Sequence, residues 1–278
     1  MIRFSIRLFA ITLSVVYASD EFYYSGLTDD GWKIFKYGET KPISYIGDCR
    51  RPSLFEKTLY FKDSQGRVVL NQVGDKESSL LKGTQKICDY VVTPEGLYFT
   101  RLLTNEPTRQ ALWLLEEGEP RLIYRFDEGS IRQLTYASGV LVFSKILGTY
   151  EEVIYKLSSN EPIRLTEANH FCVSPSLNQA GTKMLFSKRM GKDNFDIFLL
   201  NLESKEERQL TQTATATELS PSFSSDGMSI YFERRDEDLN QQIINFDLET
   251  QEEHLLTLPH PALEPWVVTN VTKKEVDE

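Results

Sequence analysis

A repeated stretch between residues 174 and 257 limits the possible folds most strongly. Ser-Pro-Ser-Leu at 174–177 returns as Ser-Pro-Ser-Phe at 220–223, and Asn-Leu-Glu at 201–203 returns as Asp-Leu-Glu at 247–249. Both pairs are 46 residues apart, with no insertion or deletion between them. Self-similarity at a fixed period of this length is typical of a repeat architecture, in which one supersecondary unit is copied.

The order of signals within one repeat predicts four short strands. Asp226-Gly227 is a turn dipeptide, and the apolar run at 230–232 after it suits a pleated, half-buried surface. A second apolar run at 243–246, a turn at 248–250 and a last short strand near residue 255 complete the unit. Four antiparallel strands repeated around an axis form a β-propeller blade.

The second copy of the repeat begins with Ser-Pro-Ser-Phe-Ser-x-Asp-Gly at 220–227. An apolar strand, Asn-Phe-Asp-Leu and Leu-Leu-Thr follow. This pattern resembles the WD-type repeat of TolB-like periplasmic propellers. The resemblance is specific at 220–232, good at 174–211, and fades toward the N-terminus. It implies a propeller that receives a partner's peptide at the mouth of its channel. We expect it to cover the propeller part only, without the α/β domain that precedes the propeller in such proteins.

The same spacing places five blades along the chain, and the two ends supply a sixth. We predict blades at about 49–84, 87–124, 130–167, 170–212 and 216–258. A C-terminal strand at about 263–269 then joins N-terminal strands at about 21–46, which hides both open sheet edges. The predicted fold is therefore all-β: a six-bladed propeller of four-stranded blades, in one domain over 19–272, with a loose tail at 273–278.

The first 18 residues have the features of a signal peptide. Arg3 and Arg7 precede an apolar run at 8–16, and small residues lead to a cleavage site after Ala18. Nine apolar residues are too few to cross a bilayer, which takes about 20. A buried N-terminal strand is the alternative. The prediction is export to the periplasm, with no membrane insertion.

The charge balance limits the class of partner. The formal net charge is −10, and it becomes −12 once Arg3 and Arg7 are removed. Nucleic-acid binding depends on Lys and Arg contacts to phosphate, so we expect no nucleic-acid partner and no binding to an anionic membrane surface. Acidity that merely keeps an exported protein soluble is the simpler interpretation. We expect a monomer.

Catalytic and metal-binding patterns are sparse. The sequence lacks Gly-x-Ser-x-Gly, His-Glu-x-x-His and Gly-rich phosphate-loop motifs. Of its three histidines, His254 is expected in an outer strand and His260 in a surface loop, while His170 precedes an inner strand near the channel. The acidic run at 236–238 could bind a cation, although a solvated charge run fits better. We therefore predict no catalytic residue, no metal and no cofactor.

The three cysteines occupy similar places, each near the start of a predicted inner strand. They could be small buried residues where strands converge on a narrow axis. Alternatively, Cys49 and Cys88 on neighbouring blades could form a disulfide, with Cys172 left as a thiol.

The loops that enter the inner strands should line a funnel at one end of the channel, where propellers commonly bind their ligands. The residues that the repeat places there mix arginines, acids and aromatics: Arg50, Arg51, Asp89, Tyr90, His170, Phe171, Glu218 and Trp266. This mixture suits an envelope protein or peptide better than bond cleavage. A polysaccharide lyase or glycosidase, or a purely structural paralogue, remains an alternative because propellers host several functions.

Overall fold

The computed structural model describes residues 21–44, 47–72, 78–103, 106–127, 129–159, 161–192 and 194–267. These residues form 23 β-strands and no helix. No described segment could therefore cross a bilayer as an apolar helix. The predicted signal peptide (1–18) and tail (273–278) lie outside the described residues.

Three separate sheets have four antiparallel strands each, connected in chain order. The first consists of β3 (Cys49–Phe55), β4 (Thr58–Asp63), β5 (Val68–Gln72) and β6 (Ser78–Leu80). The second consists of β7 (Ile87–Thr93), β8 (Gly96–Leu103), β9 (Glu106–Glu116) and β10 (Glu119–Arg125). The third consists of β11 (Ser130–Ala137), β12 (Val140–Gly148), β13 (Glu151–Ser158) and β14 (Glu161–Arg164).

The duplicated stretch forms one sheet of eight strands. Its first copy contains β15 (Cys172–Leu177), β16 (Lys183–Arg189), β17 (Phe195–Asn201) and β18 (Glu207–Gln209). Its second copy contains β19 (Thr217–Phe223), β20 (Ser229–Arg235), β21 (Gln241–Asp247) and β22 (Glu253–Leu255). The copies are internally antiparallel and meet at one parallel pair, Phe195 with Thr217. The turn signal is confirmed, because Asp226 Oδ1 accepts from Met228 N (2.8 Å) and Gly227 has φ of 73°.

The two chain ends pair in a fifth sheet, as predicted. It consists of β1 (Phe22–Thr28), β2 (Gly31–Lys36) and β23 (Ala262–Val267), with β1 in the middle. β23 runs antiparallel to β1, with Phe22 opposite Val267. The expected additional N-terminal strand near residue 43 is not formed in the described part, although Ile43 N donates to Ile34 O (2.7 Å).

The core is divided among six apolar clusters, and each cluster lies between neighbouring sheets or between the two copies of the duplicated stretch. Val142 of the third sheet packs with Phe186 of the first copy, and Phe22 of the fifth sheet packs with Tyr231 of the second copy. Alternating side chains of each strand thus serve two interfaces, which is how sheets pack face to face. The clusters join each sheet to the next around a closed path.

Candidate functional site

Six strands, β3, β7, β11, β15, β19 and β23, line one shared channel, and we call them the inner strands. Four of them have an unusual backbone conformation at the residue before a proline. Arg51, Ser174, Ser220 and Glu264 have φ of 61°, 54°, 52° and 54°, in the left-handed region that non-glycine residues rarely occupy. In β3, β15 and β19 the strand register shifts at this point, as in a β-bulge. A bulge bends the strand and re-aims a side chain, so these four positions are equivalent features of the fold.

The two inner strands without a proline, β7 and β11, also shift register, beside Asp89 and next to Gln133. Each of the six inner strands thus has a polar residue at or next to its irregularity. We call this set the belt: Arg51, Asp89, Gln133, Ser174, Ser220 and Glu264.

Belt side chains bond the backbone of the next inner strand. Glu264 Oε2 accepts from Arg51 N (2.9 Å), and Gln133 Oε1 accepts from Ser174 N. Asp89 Oδ2 accepts from Leu134 N (2.7 Å) and from Arg51 Nη2 (2.9 Å). Burial raises the pKa of Asp89, although the Arg51 charge opposes that rise. Because bulges leave backbone groups without ladder partners, these bonds satisfy groups that would otherwise be orphaned.

An acidic pair lies on one side of the belt. Glu264 Oε2 also accepts from Ser25 Oγ (2.8 Å), while Glu264 N donates to Glu233 Oε2 (3.0 Å). Burial raises the pKa of Glu233 to about 7, and the nearby Glu264 charge contributes to the rise. Two carboxylates at this proximity cannot both ionise without cost.

The channel beyond the belt is narrow. It encloses about 180 Å³ and is lined by all six inner strands. Its lining includes the proline of each of the four Pro-containing inner strands and the aromatic side chains Tyr90 and Trp266. Tyr90 OH donates to Arg51 O (2.6 Å), which fixes the wall of the channel on this side.

The other side of the belt opens into a wider funnel of about 690 Å³. It lies where the inner strands begin and also includes the loops after β16 and β20. Its cationic residues are Arg50, Arg132, Arg189, Lys192 and Arg235, its acidic residues are Glu152, Glu233, Asp236, Glu237 and Glu264, and its large apolar residues are Phe171, Phe195, Leu219, Leu239 and Leu263.

Of the predicted site residues, Arg50 and Phe171 line the funnel. Arg50 lies over the Trp32 ring at 4.1 Å. Arg51, Tyr90 and Trp266 line the channel instead. Asp89 is buried within the belt, where it binds Arg51 rather than facing a ligand.

Glu218 and His170 do not line either cavity. Glu218 is fully buried and pairs with Arg234, whose Nε donates to Glu218 Oε1 (2.8 Å). Successive strand residues point to opposite faces, so Leu219 faces the funnel and Glu218 the sheet interior. His170 lies 3.9 Å from the exposed Glu167 carboxylate, beside the funnel.

The other histidines match their predicted settings in part. His254 is exposed on β22, whereas His260 is half-buried and packs against Phe35, with ring centroids 5.0 Å apart. Among the described residues no group of three or more His, Cys, Asp or Glu side chains is placed to hold a metal ion.

The cysteines are thiols, so the structure does not form the predicted disulfide between Cys49 and Cys88. Cys49 packs with Tyr23 and Ile34 in one apolar cluster, whereas Cys88 Sγ accepts from Gln110 Nε2 (3.2 Å) in another environment. Cys49 and Cys172 are buried, as the interpretation of small buried residues predicts, whereas Cys88 is only half-buried. Burial raises the pKa of Cys49 to about 11 and that of Cys172 to about 12.

The comparisons with known proteins concern the fold. No protein-family model matches the sequence, and no curated protein matches it. Among solved structures, TolB from Acinetobacter baumannii has a TM-score of 0.72 at 14% identity, and a putative TolB from Agrobacterium tumefaciens has 0.67 at 16%. The fold is that of a TolB-like β-propeller. This chain covers 66% of the Acinetobacter protein and 91% of the Agrobacterium protein, over 89% and 88% of its own length.

The TolB-like fold is shared with an enzyme. Oligogalacturonate lyase from Vibrio parahaemolyticus has a TM-score of 0.53 at 15% identity, with 87% of this chain and 73% of that one covered. Identities this low show the fold alone, so function has to be argued from the site.

Proposed function

We propose that this TolB-like propeller is a non-enzymatic binding module that receives an envelope protein or peptide in the funnel. The observation that carries the proposal is the shape of the site: a wide funnel that narrows through the belt into a channel. An extended peptide is narrow enough to enter such an opening end-on. The funnel offers cationic, acidic and apolar side chains together, which matches the mixed chemistry of a peptide.

We also propose that the ring has six blades. The three four-stranded sheets are one blade each, the eight-stranded sheet is two blades, and the sheet of the paired chain ends is the sixth. This assignment includes every described strand. The six apolar clusters and the six inner strands around the channel support this count. The propeller is then one domain over 19–272, which acts as a monomer.

Export to the periplasm is part of the proposal. It is supported by the signal-peptide features of residues 1–18 and by the resemblance to TolB-like propellers. The formal net charge of −10 is consistent with a partner other than nucleic acid.

Photo-crosslinking in intact cells tests the proposal. A photo-reactive residue replaces Arg50 or Leu239, which lie in different parts of the funnel, and the control replaces Lys205 on an exposed turn. We expect the same protein partner to be captured from both funnel positions and not from residue 205. Capture from all three positions alike, or from none, would contradict binding through the funnel.

Cleavage of a saccharide is the competing function, favoured by the likeness to the Vibrio lyase. A panel of acidic and neutral oligosaccharides, assayed for new reducing ends or unsaturated products, distinguishes the two. We expect no turnover. Turnover that is lost in Glu152→Gln, a carboxyl that faces the funnel, would favour the enzyme instead.

A further inference from the structure

One side of the funnel combines positive charge with polar atoms that lack partners. We call it the cationic wall and define it as Arg132, Glu152, Phe171, Arg189 and Lys192. These residues come from the start of β11, the start of β13, the entry to β15, the end of β16 and the loop after it. In the described part of the chain, none of its three cations forms an ion pair.

Arg189 of this wall packs against two aromatic rings. Its guanidinium carbon lies 4.3 Å from the Phe171 ring centroid and 5.1 Å from that of Phe195. Its backbone N donates to Phe171 O (2.9 Å). A guanidinium stacked on aromatic faces keeps its N–H edge available for a carboxylate. Arg189 Nε is buried and has no hydrogen-bond partner among the described residues.

Glu152 is the second polar group without a full set of partners. Its side chain is completely buried, and Oε1 accepts from Ser144 Oγ (2.7 Å). Its Oε2 has no partner among the described residues. Glu152 forms a parallel β-bridge with Phe171, and the Arg189 backbone N donates to Phe171 O, so both residues are backbone neighbours of Phe171.

These two orphaned atoms point to a ligand because buried polar groups are nearly always hydrogen-bonded. Burial raises the pKa of Glu152. Glu152 Oε2 can accept from a ligand N–H group, and Arg189 Nε can donate to a ligand oxygen. An anionic oxygen pair would satisfy Arg189 and would also be attracted by Arg132 and Lys192.

The acidic part of the funnel limits the class of ligand. Glu233, Asp236, Glu237 and Glu264 come from β20, the loop after it and β23, accompanied by Arg50 and Arg235. A uniformly anionic chain, such as an acidic glycan, would meet like charges there. A peptide can instead present one carboxylate to Arg189 and neutral or basic groups to the acids. The apolar residues Leu219, Leu239 and Leu263 add surface for apolar side chains.

We propose that the cationic wall is a carboxylate-binding subsite, and that the segment entering the funnel is a peptide with an acidic residue that binds Arg189. This inference rests on the proposed function and adds the chemical class of the ligand. Arg189 and Arg132 supply the charge, Glu152 Oε2 supplies an acceptor for a peptide N–H group, and Phe171 orients Arg189.

Peptide retention on the immobilised protein tests the subsite. The probes are two peptide pools of random Ser, Leu and Lys with one fixed residue, Glu in one pool and Gln in the other, together with labelled oligogalacturonate. We expect the Glu pool to be retained at least about tenfold more strongly than the Gln pool, because a bond between charged groups replaces a neutral one. Equal retention of the two pools, or stronger retention of oligogalacturonate, would overturn the proposal.

Variants identify the residues responsible. Arg189→Met keeps length and contact with Phe171 but removes the charge, and we expect it to lower the Glu-to-Gln ratio to about one. Arg121→Met, on an exposed outer strand, is the matched control and should keep the ratio. If Arg189→Met melts below the wild type, Arg132→Gln provides the test, since Arg132 is exposed and should fold normally. An unchanged ratio in a folded variant of both residues would refute the subsite.

The outcome separates the two levels of the proposal. If a partner is captured by crosslinking from position 50 but the Glu and Gln pools are retained equally, the carboxylate subsite is wrong. The proposed binding function is then still supported. Absence of capture from the funnel would remove the binding function itself, whichever pool is retained.

Discussion

The backbone N–H of Arg51 donates to the Glu264 carboxylate (2.9 Å) across a separation of 213 residues. This bond connects the strand that follows the N-terminal hairpin with the last described strand. Glu264 also accepts from Ser25 Oγ (2.8 Å) in β1. The Glu264 side chain thus connects β23 with β1 and β3, where the two ends of the chain meet.

Removing the Glu264 carboxylate should weaken closure of the ring. Glu264→Ala leaves Arg51 N and Ser25 Oγ without their acceptor, and we expect a loss of about 1–3 kcal/mol in the free energy of unfolding. Glu264→Gln keeps an acceptor and should retain most of the stability. Urea unfolding of both variants measures the difference, and equal stability of the Ala variant and the wild type would contradict the prediction.

Stability should fall as pH rises through neutrality because of Glu233. Its pKa is about 7 in the folded protein against an ordinary value of 4.5, so the folded state holds this proton more tightly. The contribution is fully present below about pH 4.5 and is lost as pH rises through about 7. Since Glu233 is only half-buried, we expect a loss of about 2 kcal/mol.

Glu233→Gln should reduce this pH dependence and raise the free energy of unfolding at about pH 8. Glu237→Gln, an exposed acid of the same funnel, is the matched control and should leave the slope unchanged. The measurement is chemical unfolding across the pH range. Parallel profiles for wild type and Glu233→Gln would show that another group titrates.

The pair of Arg234 with Glu218 should stabilise the second copy of the repeat. Glu218 is fully buried, and Arg234 also binds Glu253 at the outer strand (2.6 Å), so one guanidinium bridges β19 and β22. Arg234→Ala leaves a buried carboxylate without its partner and should cost about 3–5 kcal/mol. Arg235→Ala, at the next and exposed position, should change stability by less than about 0.5 kcal/mol. A small effect of Arg234→Ala in urea unfolding would contradict this role.

The three cysteines should react as thiols. In native buffer we expect Cys88, which is half-buried, to be alkylated before the buried Cys49 and Cys172. Burial raises the pKa of both buried thiols, which lowers the reactive thiolate fraction. After denaturation without reductant, mass spectrometry should find all three alkylated. A persistent pair of unmodified cysteines would restore the predicted disulfide.

Sequence reasoning predicted the repeats well because their signals are local. The Asp226-Gly227 turn, the Ser-Pro segments of β15 and β19 and the 46-residue spacing each depend on a few neighbouring residues. Of the residues that it proposed for the funnel, Arg50 and Phe171 line the cavity at the start of the inner strands. It missed Arg132 and Arg189. The repeat alignment could have found Arg189, because Arg189 is the last residue of β16 and the second strand of a blade ends at the side of the ring where the inner strand begins.

By itself, then, the sequence determined the strand order, the blade-like repeat and the pairing of the chain ends, because turn chemistry and apolar alternation act over short distances. Only the tertiary structure decided which polar residues face the funnel. The bulges before Pro175 and Pro221 interrupt the alternation of their strands, so the adjacent residues Leu219 and Ser220 both line the funnel, which a simple period of two does not predict. Contacts between different sheets, such as Arg51 with Asp89, then determine which charges are neutralised and which remain available for a partner.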